Sequence, residues 1–133
     1  MCSSDLAKFA EWTLAQGAKT DITNDSSALP TAKFSRGVAA TADGYIAAMD
    51  AELIGKAAMV LGAGRAKKDD EIDYGAGIVL AKKTPDEIHC GDILATLYTS
   101  EDSRLDEAEQ LFRKALTVSD EKPEESPLIY KFI

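Results

Sequence analysis

Few side chains in this 133-residue chain have the chemistry and the spacing for a reactive site. A single histidine, His89, directly precedes Cys90, and the other cysteine is Cys2. Most histidine-based acid–base schemes and most His/Cys metal sites need partners that such a chain barely supplies. Neighbours in a strand point to opposite faces, so His89 and Cys90 read as a loop or strand-edge pair rather than as two ligands of one ion. Any catalytic role would then fall to carboxylates, lysines or backbone dipoles. Gly62-x-Gly64 invites a nucleotide-loop reading. A phosphate cradle, however, lies between a strand and the N-terminus of the next helix, whereas these glycines follow a helix at its negative end. Gly55-Lys56 imitates the tail of a P-loop, with Asp50 where the first glycine belongs and Ala57 in place of serine or threonine. Asp69-Asp70-Glu71 and Glu124-Glu125 are paired carboxylates with no sign of the desolvation that raises a catalytic pKa, and are assigned to solvent. Arg65, Lys67 and Lys68 form the one local basic cluster. It reads either as favourable charge beyond a helix C-terminus or as a contact with an anion or another domain across a cleft.

Periodicity supplies the elements that would position these residues. Leu6, Phe9, Ala10, Thr13 and Leu14 build one apolar face of a helix over residues 5–16, capped by Ser4 or Asp5 and followed by Gly17. Residues 17–30 are a polar loop or linker. The runs around Val38 and Ala40 and over Tyr45–Met49 flank Asp43-Gly44, a pattern that predicts a hairpin. Asp50 then caps a helix to about Leu61, with Leu53, Ile54, Ala57, Ala58 and Leu61 inward and Gly62 at its end. A charged connection leads through residues 62–76 to strands over 77–82 and 92–99, separated by turns at Thr84–Glu87 and Gly91-Asp92. Ser103 and Asp106 suggest a capping box for a helix carrying Leu105, Ala108, Leu111, Phe112, Ala115 and Leu116 on one side. Thr117–Ser119 reads as a last short strand. Pro123 and Pro127 frame an acidic segment before Leu128-Ile129-Tyr130.

Composition narrows the partners. With 45% hydrophobic and 29% charged residues the chain reads as a soluble globular domain with one core. Its 23 acids against 15 bases give a net charge of −8, which disfavours phosphate backbones and anionic membranes, so neither nucleic acid nor membrane is expected as a partner. Residues 101–125 alone hold nine acids and four bases, the pattern of a solvated helix face and tail. No apolar run approaches the roughly 18 to 20 residues that span a bilayer. The first residues show no secretory signal, and two cysteines make no disulfide framework, so a cytoplasmic chain is expected.

Several runs resemble a known family. Asp43-Gly44-Tyr45-Ile46, Asp50-Ala51-Glu52-Leu53-Ile54-Gly55, Leu61-Gly62-Ala63-Gly64-Arg65, the stretch from Lys67 to Asp73, Gly77-Ile78-Val79-Leu80 and Gly91–Tyr98 together resemble the C-terminal domain of thymidine and pyrimidine-nucleoside phosphorylases. Lys8-Phe9, Ala15-Gln16-Gly17 and Leu29-Pro30 resemble the helix and linker that lead into it. Ala18, where the family carries a second glycine, and Thr84-Pro85-Asp86, where it has a glycine-aspartate turn, depart from the pattern in turns. The resemblance implies an α+β fold, an α/β-hammerhead in the order β-β-α-β-β-β-α. Residues 1–30 would be a helix and linker from the end of a preceding domain, and residues 31–133 the hammerhead itself.

The activity implied is reversible phosphorolysis, in which phosphate attacks C1′ of a pyrimidine nucleoside and the free base departs. That step needs cations and hydroxyls around phosphate and donors to the leaving base. Family members carry these groups in their other domains, and none of those motifs matches here. No catalytic residue, cofactor or metal ligand is therefore assigned, and the isolated chain is expected to be inactive. The implied partners are the N-terminal domains of a parent homodimer whose substrates are phosphate and a pyrimidine nucleoside. Gly62, Gly64, Arg65, Lys67 and Lys68 are expected in a mobile loop, reaching to Asp73, that faces the interdomain cleft. The competing reading is a stand-alone interaction or carrier module, since hammerhead domains are akin to folds that carry biotin or lipoate. Lys82-Lys83 lies near a turn but lacks the flanking trio that a carrier lysine needs.

Overall fold

Asp50 caps a helix as its position predicts. Its carboxylate accepts the amides of Glu52 (2.9 Å) and Leu53 (3.1 Å), two donors that a first helical turn leaves unpaired. The structure, a computed structural model, describes residues 3–65 and 68–124. It is an α+β arrangement that divides into two compact units, Met1–Thr31 and Ala32–Ile133.

The first unit holds helix α1 (Ser3–Ala15) and a polar segment ending in a 3-10 turn at Ser26–Ala28. Short side chains organise that segment locally. The Asp21 carboxylate accepts the amide of Thr23, and Asp25 accepts that of Ser27. Helix α1 leaves its apolar face open: Leu6, Phe9, Trp12 and Leu14 are exposed, and the rings of Phe9 and Trp12 lie 5.9 Å apart in a tilted pair.

The second unit runs β1 (Phe34–Ala39), β2 (Gly44–Met49), α2 (Ala51–Ala58), β3 (Gly77–Leu80), β4 (Glu87–Ile88), β5 (Ile93–Thr99), α3 (Leu105–Ala115) and β6 (Leu116–Ser119). Two antiparallel sheets result, ordered β1-β5-β3 and β4-β2-β6. The hairpin expected at Asp43-Gly44 does not form. β1 pairs with β5, with Val38 opposite Ala95, while β2 pairs with β4 and β6, with Ile46 opposite Val118. The reason is a corner rather than a turn. Ala40 donates to Asp92 O (2.8 Å) and accepts from Gly91 N (2.9 Å), which carries the chain out of one sheet before Gly44 enters the other. Asp43 accepts the amide of Cys90 (2.7 Å) instead of closing a hairpin. Gly44 has φ 149°, and a Cβ there would sit 2.7 Å from Ser119 O, so the glycine serves close strand approach.

The capping box expected at Ser103 is also absent. Residues Asp102–Arg104 form a 3-10 turn, so α3 begins at Leu105 without a side-chain cap. Helix α3 is nonetheless strongly two-faced. Leu105, Ala108, Phe112 and Ala115 are buried, and Phe112 joins Val38, Ile46, Leu61, Ile88 and Leu97 in one core fed by both sheets. Leu111, expected on the same face, is only half-buried beside that stripe, and Leu116 lies not in the helix but in β6, half-buried opposite Met49. On the rim, Arg36 of β1 pairs with Asp106 and Glu109, and Arg113 Nη1 donates to Ala39 O (3.0 Å). Small residues let α2 lie against α3, and Asp50 N–H donates to Ala115 O (2.8 Å) where they meet.

Burial of this kind sets a measurable cost. Phe112→Ala is expected to lose about 3 to 5 kcal/mol in a denaturant titration, and Leu111→Ala clearly less. A loss below about 1 kcal/mol for Phe112→Ala would contradict the docking of α3.

Candidate functional site

The segment that could meet a partner begins where α2 stops being an α-helix. After Ala58 the chain widens into a π-type turn, Met59–Ala63, in which Gly62 adopts φ 112°. An L side chain is strained at that angle. The space is tight as well: a Cβ at Gly62 would lie 3.1 Å from Asp73 Cβ and 3.2 Å from Arg104 Nη1. Gly64 is extended, and a Cβ on it would lie 3.2 Å from Met59 Cγ, so its backbone sits on that side chain. Arg65 follows, exposed and without an ion pair to a described residue. Lys68 is exposed as well, while Lys67 lies outside the described residues.

Two side chains tie this turn to the end of β5. Thr99, wholly buried, donates its hydroxyl to Leu61 O (2.8 Å) and accepts the amide of Glu101 (3.2 Å). Asp73 works in the other direction. Its N–H donates to Gly62 O (2.9 Å), while its carboxylate accepts Ser100 N–H at Oδ2 (2.9 Å) and Gly75 N–H at Oδ1 (2.9 Å). Hydrogen bonding to Ser100 is the largest cause that holds the Asp73 carboxyl below the usual range. Burial opposes it, and the amides of Gly75, Ser100 and Ala76 add to the lowering.

Between the turn and the β5–α3 connection lies an open cleft of about 510 Å³, lined by Leu61, Gly64, Asp70, Asp73, Ser100, Arg104 and neighbouring acids. Arg104 is not a loose cation in it: Nε and Nη2 donate to the two oxygens of Glu101 at 2.8 and 2.9 Å. The site therefore offers a glycine-set turn, an exposed guanidinium beside it and acidic walls. Asp73 is already engaged as an ionised acceptor, so this geometry suits contact and positioning rather than proton transfer.

The other motifs fall elsewhere. His89 and Cys90 are exposed in the turn after β4, not in a strand, and His89 Nδ1 is 3.7 Å from Asp92 Oδ2. Among the described residues no group of three His, Cys, Asp or Glu could hold a metal ion. Gly55 and Lys56 lie within α2, where Lys56 pairs with Glu52 one turn back. Lys82 donates to Glu87 O (3.1 Å) and lies 3.8 Å from Asp92, so it is engaged rather than presented. Asp69, Glu71 and Glu124 are exposed, Asp70 half-buried, and Glu125 outside the described residues. Among the described residues no helix is long and apolar enough to cross a membrane. Sequence reasoning reached Asp73 only as the last residue of the expected loop, with no role for it, and missed Thr99 and Arg104 as members of the site. Only Asp73-Tyr74-Gly75 carries a local signal, the Asx turn.

The sequence model of the pyrimidine nucleoside phosphorylase C-terminal domain matches residues 45–119, more than half of the chain and including every residue of the turn. The chain belongs to that family. Among named relatives, the pyrimidine-nucleoside phosphorylase of Geobacillus stearothermophilus is 36% identical over 127 residues, 96% of this chain and 29% of that enzyme. The Bacillus subtilis (strain 168) enzyme of the same name is 43% identical over 98 residues, 74% of this chain and 23% of the relative. One from Staphylococcus epidermidis is 37% identical over 128 residues, 96% of this chain and 29% of the relative. The chain thus spans less than a third of the length of these relatives.

The tie at Asp73 predicts a pH signature. Its folded pKa lies below the 3.8 of the free side chain, so its contribution is present above about pH 3.8 and is lost as pH falls through the folded value. The stability gap between the unsubstituted chain and Asp73→Asn should be full near neutrality and shrink on acidification. A gap that stays constant to pH 2 would show that the ionised carboxylate contributes nothing.

Proposed function

We propose that the chain acts as the C-terminal lobe of a pyrimidine-nucleoside phosphorylase, a pentosyltransferase that reversibly converts a pyrimidine nucleoside, thymidine included, and phosphate to free base and (deoxy)ribose 1-phosphate. The observation that carries this reading is the 36% identity to the Geobacillus stearothermophilus enzyme across 96% of the chain. The enzyme would be a cytoplasmic homodimer. Residues 1–30 would end its preceding domain, which gives the open apolar face of α1 a neighbour, and residues 31–133 would form the hammerhead domain.

The lobe's contribution in this reading is architectural. Phosphorolysis requires a developing negative charge to be met by preorganised cations and donors, and the described side chains form no such constellation. Gly62, Gly64, Arg65, Lys67 and Lys68 would instead face the interdomain cleft. Arg65 makes the cross-domain contact, because a guanidinium can donate to several carbonyls or a carboxylate at once. The carrier reading has no comparable support, since Lys82 is held by its own neighbours.

A chimera tests this directly: the Geobacillus stearothermophilus enzyme with its matching segment replaced by this chain should release base from uridine or thymidine in the presence of phosphate. The isolated chain should release none. Turnover by the chain alone at ordinary enzyme rates, on the order of 1 to 1000 per second, or a folded but inactive chimera, would overturn the proposal. In the active chimera Arg65→Ala should slow turnover more than it lowers thermal stability. Unchanged kinetics with a large fall in Tm would make Arg65 a structural residue.

A further inference from the structure

We infer that Asp73 is a positioning residue, which sets the direction in which the Gly62–Arg65 turn presents the Arg65 guanidinium. The inference rests on the cross-domain reading of Arg65 and adds a residue that the proposed function does not use.

Three observations carry it. First, Asp73 joins separate stretches of chain at one point. Its N–H holds Gly62 O, Oδ2 holds the amide of Ser100 at the exit of β5, and Oδ1 closes its own turn onto Gly75. Second, Arg65 stands only three residues beyond Gly62, at most about 10 Å of extended chain. The intervening Gly64 rests on Met59, so the stem decides where the guanidinium can reach. Third, the part of the turn that faces the core is tied to β5 by a different group, the Thr99 hydroxyl on Leu61 O. Losing the Asp73 carboxylate therefore releases Asp73 from β5, so that its N–H no longer holds Gly62 O at a fixed place, without undoing the core beneath. The carboxylate suits the task because both oxygens accept at once. An amide in its place would turn an NH2 group towards one of two backbone donors, leaving that donor unpaired.

The test uses the full chain and then the active chimera. In the chain, Asp73→Asn and Asp73→Ser are compared by backbone relaxation. Serine can keep the local turn onto Gly75 but is too short to hold Ser100. Both should move the order parameters of Gly62 and Gly64 from the rigid range near about 0.85 towards the flexible range below about 0.6. Those of β5 and α3 should not change. In the chimera, Asp73→Asn and Arg65→Ala should each lower kcat by roughly tenfold to a hundredfold. The double substitution should be no slower than Arg65→Ala alone, since a misplaced guanidinium and a missing one are equivalent. Unchanged order parameters in both variants overturn the positioning role alone. Additive losses in kcat do the same, because Asp73 would then act independently of Arg65. Unchanged turnover in Arg65→Ala overturns the cross-domain reading, and the role of Asp73 falls with it.

Discussion

The hydroxyl of Thr99 is the point on which the second unit turns. It is wholly buried, and a buried hydroxyl without a partner is costly, so its bond to Leu61 O fixes where the end of β5 lies against the end of α2. That carbonyl is open to a side chain because the helix has already given way to the π-type turn with Gly62 at positive φ. The glycine, the hydroxyl and the Asp73 carboxylate therefore form one unit of construction. Remove the glycine's freedom and Leu61 O points elsewhere; remove the hydroxyl and the carbonyl is buried unpaired.

Around that junction the molecule separates tasks. The apolar side chains that both sheets contribute converge on Phe112, which no water reaches. Charge is kept to the rim. Arg36 and Arg113 bind α3 back to β1 through Asp106, Glu109 and Ala39 O, where partial exposure limits each ion pair to a small net contribution. The rim gives register and the core gives stability. The base of the glycine-set turn is held by Thr99 and Asp73 at the edge of that core.

This division fits membership of the pyrimidine nucleoside phosphorylase C-terminal domain family, whose model covers all but the first residue of β2, the strands β3 to β6, both helices of the second unit and the turn. A domain that places its surface accurately does so through satisfied buried polar groups rather than through reactive ones. Thr99 and Asp73 are of that kind: each satisfies backbone groups that would otherwise be stranded at the edge of the core.

Local structure was legible from residues alone wherever the deciding interaction is local. Asp50 signals its helix because the donors it satisfies lie two and three residues away. Gly62 ends the helix because positive φ is a property of one residue, and α3 shows its buried face because helical periodicity repeats within eleven residues. The family resemblance was likewise carried by contiguous runs. The pairing of strands was not legible. Alternation in β1 and β2 says which side chains go inward but not which strand lies beside them, and Asp43-Gly44 reads as a hairpin until the 91–92 turn is known to take up Ala40. The capping box at Ser103 failed for a related reason: the preceding residues form a 3-10 turn, held in part by Arg104 N–H on Glu101 O, that displaces the start of α3. Thr99 was invisible as a site residue because its partner Leu61 is 38 positions away, and Asp73 showed only its local turn because Ser100 is 27 positions away. Sequence determined the helices, the Asp50 cap and the family; tertiary structure decided which strands pair, where α3 begins and which side chains hold the turn, because those choices depend on groups that meet only after the chain has folded.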